Sequence, residues 1–267
     1  MRAALAVAVP LVSKASLACD SVGSSLDWVE SQASSNGLLA QSGAQVSGGS
    51  ARAQDQGLAA IALLSAGRDD AASAVLRAVM DVASGAVVSE AWVAGSGAVQ
   101  GSESEVGAAW VGYAAAVYEA VSGDTQFAGL GDVQAAWLAT LVDQEAGCIK
   151  VEGACDVAVT VVAHHCMHLT AALRPSDELS EAAQTLSTGL ATMYDATLPG
   201  FLGTAAAAVT GLAHLARADP TDSRVELAWV RVREELVASQ LTTTTGMFPH
   251  AYGVADGGSV DVGATFL

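Results

Sequence analysis

The sequence predicts an all-α fold, an (α/α) toroid of helical hairpins, with short β-hairpins at one rim. Three observations carry this. First, the chain is 52% hydrophobic but only 5% aromatic and 15% charged, so its apolar content is mostly Ala and Val. Small apolar side chains let helix backbones pack closely. Second, segments that alternate apolar and polar residues at helical spacing take turns with segments apolar on most sides. That is the pattern of half-solvated outer helices and buried inner ones. Third, one unit recurs at roughly fifty residues, a period typical of repeat architectures. The length of 267 residues suits a single toroid domain spanning 1–267.

The unit can be followed along the chain. In each copy a helix ends in a polar stretch, a Gly with apolar residues follows, and in most copies an acid then opens a more apolar helix. The first copy runs from Gln32 through Asn36-Gly37-Leu38-Leu39 to Asp55; the second, looser, runs from Ser84-Gly85 to Glu105-Val106. The third runs from Gln144 through Gly147-Cys148-Ile149 to Asp156-Val157. The fourth has Pro199-Gly200-Phe201-Leu202 leading to Gly203-Thr204, and the fifth runs from Gln240 through Gly246-Met247-Phe248 to Asp261-Val262.

Outer helices are expected over Ser25 to Ser34, Asp69 to Ala83, Asp132 to Gln144, Ser176 to Tyr194 and Asp222 to Gln240. Inner helices are expected over Asp55 to Ala66, Glu105 to Val121, Asp156 to Leu173 and Thr204 to Ala216. Gly67, Gly123 and Pro175 stop three of the inner helices. Asp69-Asp70, Ser176 with Glu178, and Asp222 with Glu226 supply starts. About five hairpins are visible in this repeat. A fifth inner helix would open at Asp261, close to Leu267, so an incomplete or open ring is expected.

Residues Met1 to Ala18 read as a secretory signal: Arg2, an apolar centre from Ala3 to Val12, and Ser16-Leu17-Ala18 as the cleavage site. The alternative is an N-terminal extension retained in the mature protein. Cys148 and Cys155 flank a short turn, and a hairpin there brings their Cα atoms into disulfide range, about 5.5–6 Å. That pairing suits a secreted, periplasmic or cell-surface protein; the alternative is two free thiols.

Acidic residues outnumber basic ones 28 to 11, a net charge of −17. Only two lysines occur, Lys14 and Lys150, and no basic run exists to neutralise phosphates, so nucleic acid is excluded as a partner. No apolar stretch reaches the roughly 18 residues of a transmembrane span.

The acids Asp55, Glu105, Asp156 and Asp261 all sit at inner-helix starts, which converge on one rim of a toroid. Two such carboxyls can act as acid and base on a glycosidic bond. The competing reading is that they cap helices and meet the helix dipole. Asp55 is the leading catalytic candidate, with Glu105 or Asp156 second. Gln56, Trp110, Tyr113 and Tyr252 are candidate substrate contacts. His164 and His168, four apart on one helix face, have the spacing of two zinc ligands, with Asp156, His214 or His250 as a third. The alternative is no cofactor, with neutral histidines hydrogen-bonded to neighbouring helices. No nucleophile-elbow motif marks a Ser-His-Asp or Cys-His set.

The stretch Gly37-Leu38-Leu39 followed by Asp55-Gln56-Gly57-Leu58-Ala59-Ala60-Ile61-Ala62-Leu63-Leu64 resembles the "GLL…YDQALAAIALL" pattern of bacterial six-hairpin glycosidase-like proteins. Ala109-Trp110-Val111-Gly112-Tyr113, with Tyr118, Gly123 and Asp124, is similar to that family's next inner helix, and Gly200-Phe201-Leu202-Gly203-Thr204 to its "GFWTGT". The likeness spans roughly Leu38 to Thr204. It departs at Gln54, where the family has Tyr. It departs again in the helix Val162 to Leu173, where the family's Glu is His164, its Asp is His168, and only His165 is kept. Gln240, Gly246-Met247-Phe248 and Asp261-Val262 also resemble the repeats of terpene cyclases and prenyltransferases, which are helical toroids too. The first resemblance implies a glycan-handling protein, either a glycoside hydrolase or a degenerate carbohydrate-binding relative. The alternative is a non-catalytic assembly subunit whose partners are copies of itself or other proteins.

Overall fold

The computed structural model of the protein describes residues 20–41 and 48–193. The expected signal at 1–18, the fourth and fifth repeat units, and the candidates Tyr252, His214, His250 and Asp261 lie outside the described residues.

The described chain is three inner–outer helix pairs preceded by one further helix, α1 (Asp20–Ser31). The inner helices are α2 (Ala53–Ser65), α4 (Glu105–Ser122) and α6 (Val157–Leu173); the outer ones are α3 (Asp69–Ala83), α5 (Ala128–Thr140) and α7 (Asp177–Met193). Helix α4 packs between α2 and α6, α5 and α7 lie against α6, and α3 covers α2. Each inner helix is entered from a small antiparallel sheet. Strands β1 (Ser50–Arg52), β2 (Ser89–Val93) and β3 (Val99–Glu103) form one sheet in that order. Strands β4 (Val142–Asp143), β5 (Cys148–Val151) and β6 (Ala154–Cys155) form the other. The toroid architecture and its rim hairpins are thus those the repeat implies.

Alanine and glycine set how closely the inner layer packs. Ala53, Ala60, Ala108, Ala109, Ala114 and Ala163 are fully buried between helices. A Cβ on Gly57 would fall 2.5 Å from the Trp110 carbonyl carbon, so α2 touches the backbone of α4 there. A Cβ on Gly112 would fall 2.6 Å from Cys166 Sγ, which sets the approach of α4 to α6. The largest fully buried side chains, among them Trp92, Phe127 and Leu63, fill the space between layers.

Buried polar side chains fasten the segments ahead of the helices. Gln56 accepts a hydrogen bond from Leu39 N (2.8 Å) and donates to the carbonyls of Leu39 (2.9 Å) and Arg52 (3.2 Å). Thr160 accepts from Ile149 N (3.0 Å) and donates to the Asp156 carbonyl. Gln56 and Thr160 each stand fourth in their inner helix, and Leu39 and Ile149 each end a Gly-apolar pair, so this fastening repeats with the sequence unit. Gln134 serves the second unit from an outer helix, accepting from Val88 N and donating to the Ala86 carbonyl. At the opposite rim, Arg68 binds Asp27 (2.7 Å) and Glu30 of α1. Arg174 there binds Asp132 (2.7 Å) and Glu119.

Two expected outer helices are displaced. The first, expected at Ser25 to Ser34, is α1 and ends at Ser31. Gly37 has φ +84°, and the turn it makes folds Leu38 back so that its carbonyl accepts from Ser34 N at 2.9 Å. The second, expected at Asp132 to Gln144, is α5, four residues earlier at both ends. Gly123 closes α4 with φ +73°, and Asp124 bonds Gln126 N at 2.9 Å in a tight turn, so the helix restarts at Ala128. Val142 and Asp143 then pair with β5 instead of continuing it.

Candidate functional site

Contacts fix the register of the inner helices. Ala53 lies opposite Gly107 and Gly57 opposite Trp110, so α2 and α4 run parallel. Tyr113 stacks on His165 with ring centroids 5.7 Å apart and Gly112 meets Cys166, while Glu119 near the end of α4 binds Arg174 just past the end of α6, so α4 and α6 run parallel as well. All three N-termini therefore face the rim that carries the strands. Glu105 precedes Tyr113 by eight residues and Asp156 precedes His165 by nine, which puts the two acids at nearly one level. Asp55 lies level with the stretch between Gly107 and Trp110, about one helical turn, roughly 5 Å, deeper.

Below this rim, the inner helices carry half-buried stripes. On α4 the stripe is Val106, Trp110, Tyr113 and Val117, at i, i+4, i+7 and i+11. On α2 it is Asp55, Ala59 and Ala62, and on α6 Ala158, His165 and Leu169. Asp55, Trp110, Tyr113 and His165 are thus all half-buried, and Tyr113 meets His165 between α4 and α6.

The candidates differ in what else they do. Asp156 caps α6, its Oδ1 accepting from Val159 N at 2.9 Å, the capping role weighed for these acids. Glu105 is in the first turn of α4, but Ser104 is the cap, its hydroxyl accepting from Gly107 N at 3.1 Å. Gln56, expected as a substrate contact, is corrected: it is fully buried and its amide is occupied by backbone groups. The zinc pair His164 and His168 lies on α6, and two of its possible third ligands, His214 and His250, lie outside the described residues. His164 and His168 stack with centroids 5.7 Å apart, and His164 Nδ1 lies 2.9 Å from the Ala183 carbonyl. Among the described residues no three His, Cys, Asp or Glu side chains are placed to hold a metal ion.

Cys148 and Cys155 form a disulfide across the β5–β6 hairpin, with Cα atoms 5.7 Å apart. Cys166 is buried, and burial pushes its thiol up to about 12, so it is not a nucleophile. Two open clefts, of about 330 and 340 Å³, lie elsewhere: one between Gln144, Gly147 and Gly189, the other between Met80, Ala86 and Leu130. Neither is lined by Asp55, Glu105, Asp156, Trp110 or Tyr113. No described helix is long and apolar enough to cross a membrane.

Sequence reasoning missed the fastening role of Gln134 and Thr160. Its only signal was their polarity within otherwise apolar helix faces. It also gave no hint that His165 stacks on Tyr113, a contact between helices fifty residues apart.

The chain matches no protein-family profile and no curated protein sequence. Its fold is shared with a GH76 alpha-mannanase of Bacteroides thetaiotaomicron, at a TM-score of 0.56 and 10% identity over 80% of this chain and 66% of that one. It is also shared with a cellobiose 2-epimerase of Bacillus thermoamylovorans, at 0.55 and 11% over 81% and 71%. A sugar epimerase of a ruminal bacterium matches at 0.53 and 12% over 80% and 67%. The chain thus spans about two-thirds of the length of these structures. It has the (α/α) toroid fold of six-hairpin glycosidase-like proteins.

Proposed function

We propose that this protein handles glycans at the strand-bearing rim of its inner helices. The observation that carries the reading is the parallel register, which sets Asp55, Glu105 and Asp156 at one end and Trp110 and Tyr113 just beneath. Aromatic rings offer flat apolar faces that suit sugar rings. Asp55 is the first candidate for acid or base and Glu105 its partner, since Asp156 is engaged as a cap. One carboxyl would protonate the leaving oxygen while the other activates water or attacks the anomeric carbon. The names of the fold neighbours, a mannanase and two sugar epimerases, support glycans as the ligand class. A secreted or surface location fits the disulfide and the signal-like N-terminus.

The test is Asp55→Asn, assayed on α-mannan for new reducing ends and on cellobiose for epimerisation. Loss of at least a hundredfold in either activity, with an unchanged melting temperature, supports the reading. Glycan binding without turnover in the parent protein would make it a carbohydrate-binding relative. No binding and no turnover, in a protein that forms a defined multimer, would replace it with the assembly-subunit reading.

A further inference from the structure

Helix α6 interrupts its apolar run with His164-His165-Cys166-Met167-His168. His165 is half-buried, and so is Tyr113 of α4, on which its ring stacks with planes 28° from parallel. The contact depends on how closely the two helices approach. Gly112 precedes Tyr113, Cys166 follows His165, and a Cβ on Gly112 would fall 2.6 Å from Cys166 Sγ and 2.9 Å from Gln134 Cβ. A larger residue than Gly there would hold the Tyr113 and His165 rings apart. His165 is braced in turn. Its ring meets that of His164 edge-on, with centroids 5.2 Å apart, and His164 stacks on His168 with planes 13° from parallel. His164 Nδ1 lies within hydrogen-bond reach of the Ala183 carbonyl of α7. Four rings thus form one row, from Tyr113 through His165 and His164 to His168, tied to α7 at Ala183.

We propose that His165 is a positioning residue of the glycan site: it holds the Tyr113 ring in the orientation that receives a sugar. The inference rests on the reading of Tyr113 as a sugar contact, and it names the side chain that makes Tyr113 ready. A Tyr side chain turns about two torsions, and freezing them as a ligand arrives subtracts from affinity. A ring already held by a stacked neighbour loses less on binding. Stacking suits the task, because an offset aromatic partner fixes the plane of a ring through one face only. The flat face of His165 is what the role requires. His165 acts through Tyr113, with no contact to the sugar and no proton transfer.

The experiment is calorimetric titration of the full chain with cellobiose and with an α-mannan oligosaccharide, for the parent protein, His165→Phe and His165→Leu. Phe keeps a flat ring and removes the nitrogens; Leu keeps much of the volume and removes the ring. Each protein is titrated below its own melting temperature. The sugar that the parent binds is expected to bind His165→Phe within twofold of the parent Kd. It is expected to bind His165→Leu about three- to tenfold more weakly, the range an aromatic pair is worth. Should His165→Leu not fold, His165→Gln, which also removes the ring, takes its place with the same expectation. Parent-like affinity in the ringless variant overturns the proposal and leaves the glycan site standing. Equal weakening in the Phe and the ringless variants overturns it as well, because the imidazole nitrogens would then serve the ligand. A parent protein that binds neither sugar overturns the glycan site itself, and the positioning role with it.

Discussion

Single side chains here divide into those that hold the rim together and those left to act at it. Gln56 shows how adjacent residues part ways. In the sequence it follows Asp55 and reads as its companion in substrate binding. In the fold, helical geometry turns it about 100° from Asp55 and into the core. There its amide satisfies both backbone groups of Leu39, seventeen residues away. That partner was invisible in the sequence because nothing local marks a pairing across a loop. Gln56→Leu keeps the bulk but leaves the Leu39 N–H and carbonyl buried without partners. It is expected to cost about 2–4 kcal/mol, read as a lower urea midpoint at constant slope. The acids were more legible, since carboxylates at helix starts have few uses, and Asp156 took the capping one. Cys166, protonated and buried, is expected to escape iodoacetamide in the native protein and to react in denaturant, as located by peptide mass spectrometry.

Among the elements, boundaries written in local chemistry were legible and boundaries set by tertiary pairing were not. Helix α3 runs Asp69–Ala83, as its acidic start and Ser84-Gly85 stop imply. Helix α5 lies four residues early because β4 pairing with β5 claims Val142 and Asp143. The inner helices were legible because α2, α4 and α6 are apolar on most sides, but their mutual distance was not. That distance depends on Gly57 meeting the Trp110 backbone. Gly57→Ala is expected to push α2 off α4 and cost about 1–3 kcal/mol, with a lower thermal midpoint, because a backbone carbon cannot give way as a flexible side chain would. The β4–β5 hairpin has its own pH signature. The Ala146 N–H, helped by Lys150, lowers the Asp143 carboxyl to about 2. A depressed carboxyl contributes stability above its unfolded value near 4 and loses it as pH falls toward 2. In an NMR titration Asp143 is expected to titrate near 2. Lys150→Met should raise that value only in part, since the Ala146 N–H remains.

At the scale of the molecule, net charge and ring geometry set the behaviour. A charge of −17 repels itself, whereas each exposed ion pair is worth only about 0–1 kcal/mol. Screening should therefore relieve more repulsion than it removes attraction. The melting temperature is expected to rise between 20 and 300 mM NaCl, by about 2–4 °C for each kcal/mol relieved. A fall would show that the rim clamps at Arg68 and Arg174 outweigh the general repulsion. The toroid was legible because its repeat writes the same Gly-apolar and acid-then-helix signals several times over. The site was legible only as far as residue types allow. Which acid caps, which Gln is buried and which His meets Tyr113 all depend on the rotation of helices about their axes.

Hydrogen exchange of the full chain, with and without a saturating neutral oligosaccharide, tests the glycan rim most directly. Slower exchange confined to the first two turns of α2 and α4, around Asp55 and from Glu105 to Tyr113, is the expected result. Protection confined to the outer helices, or none at all with ligand bound, would contradict it.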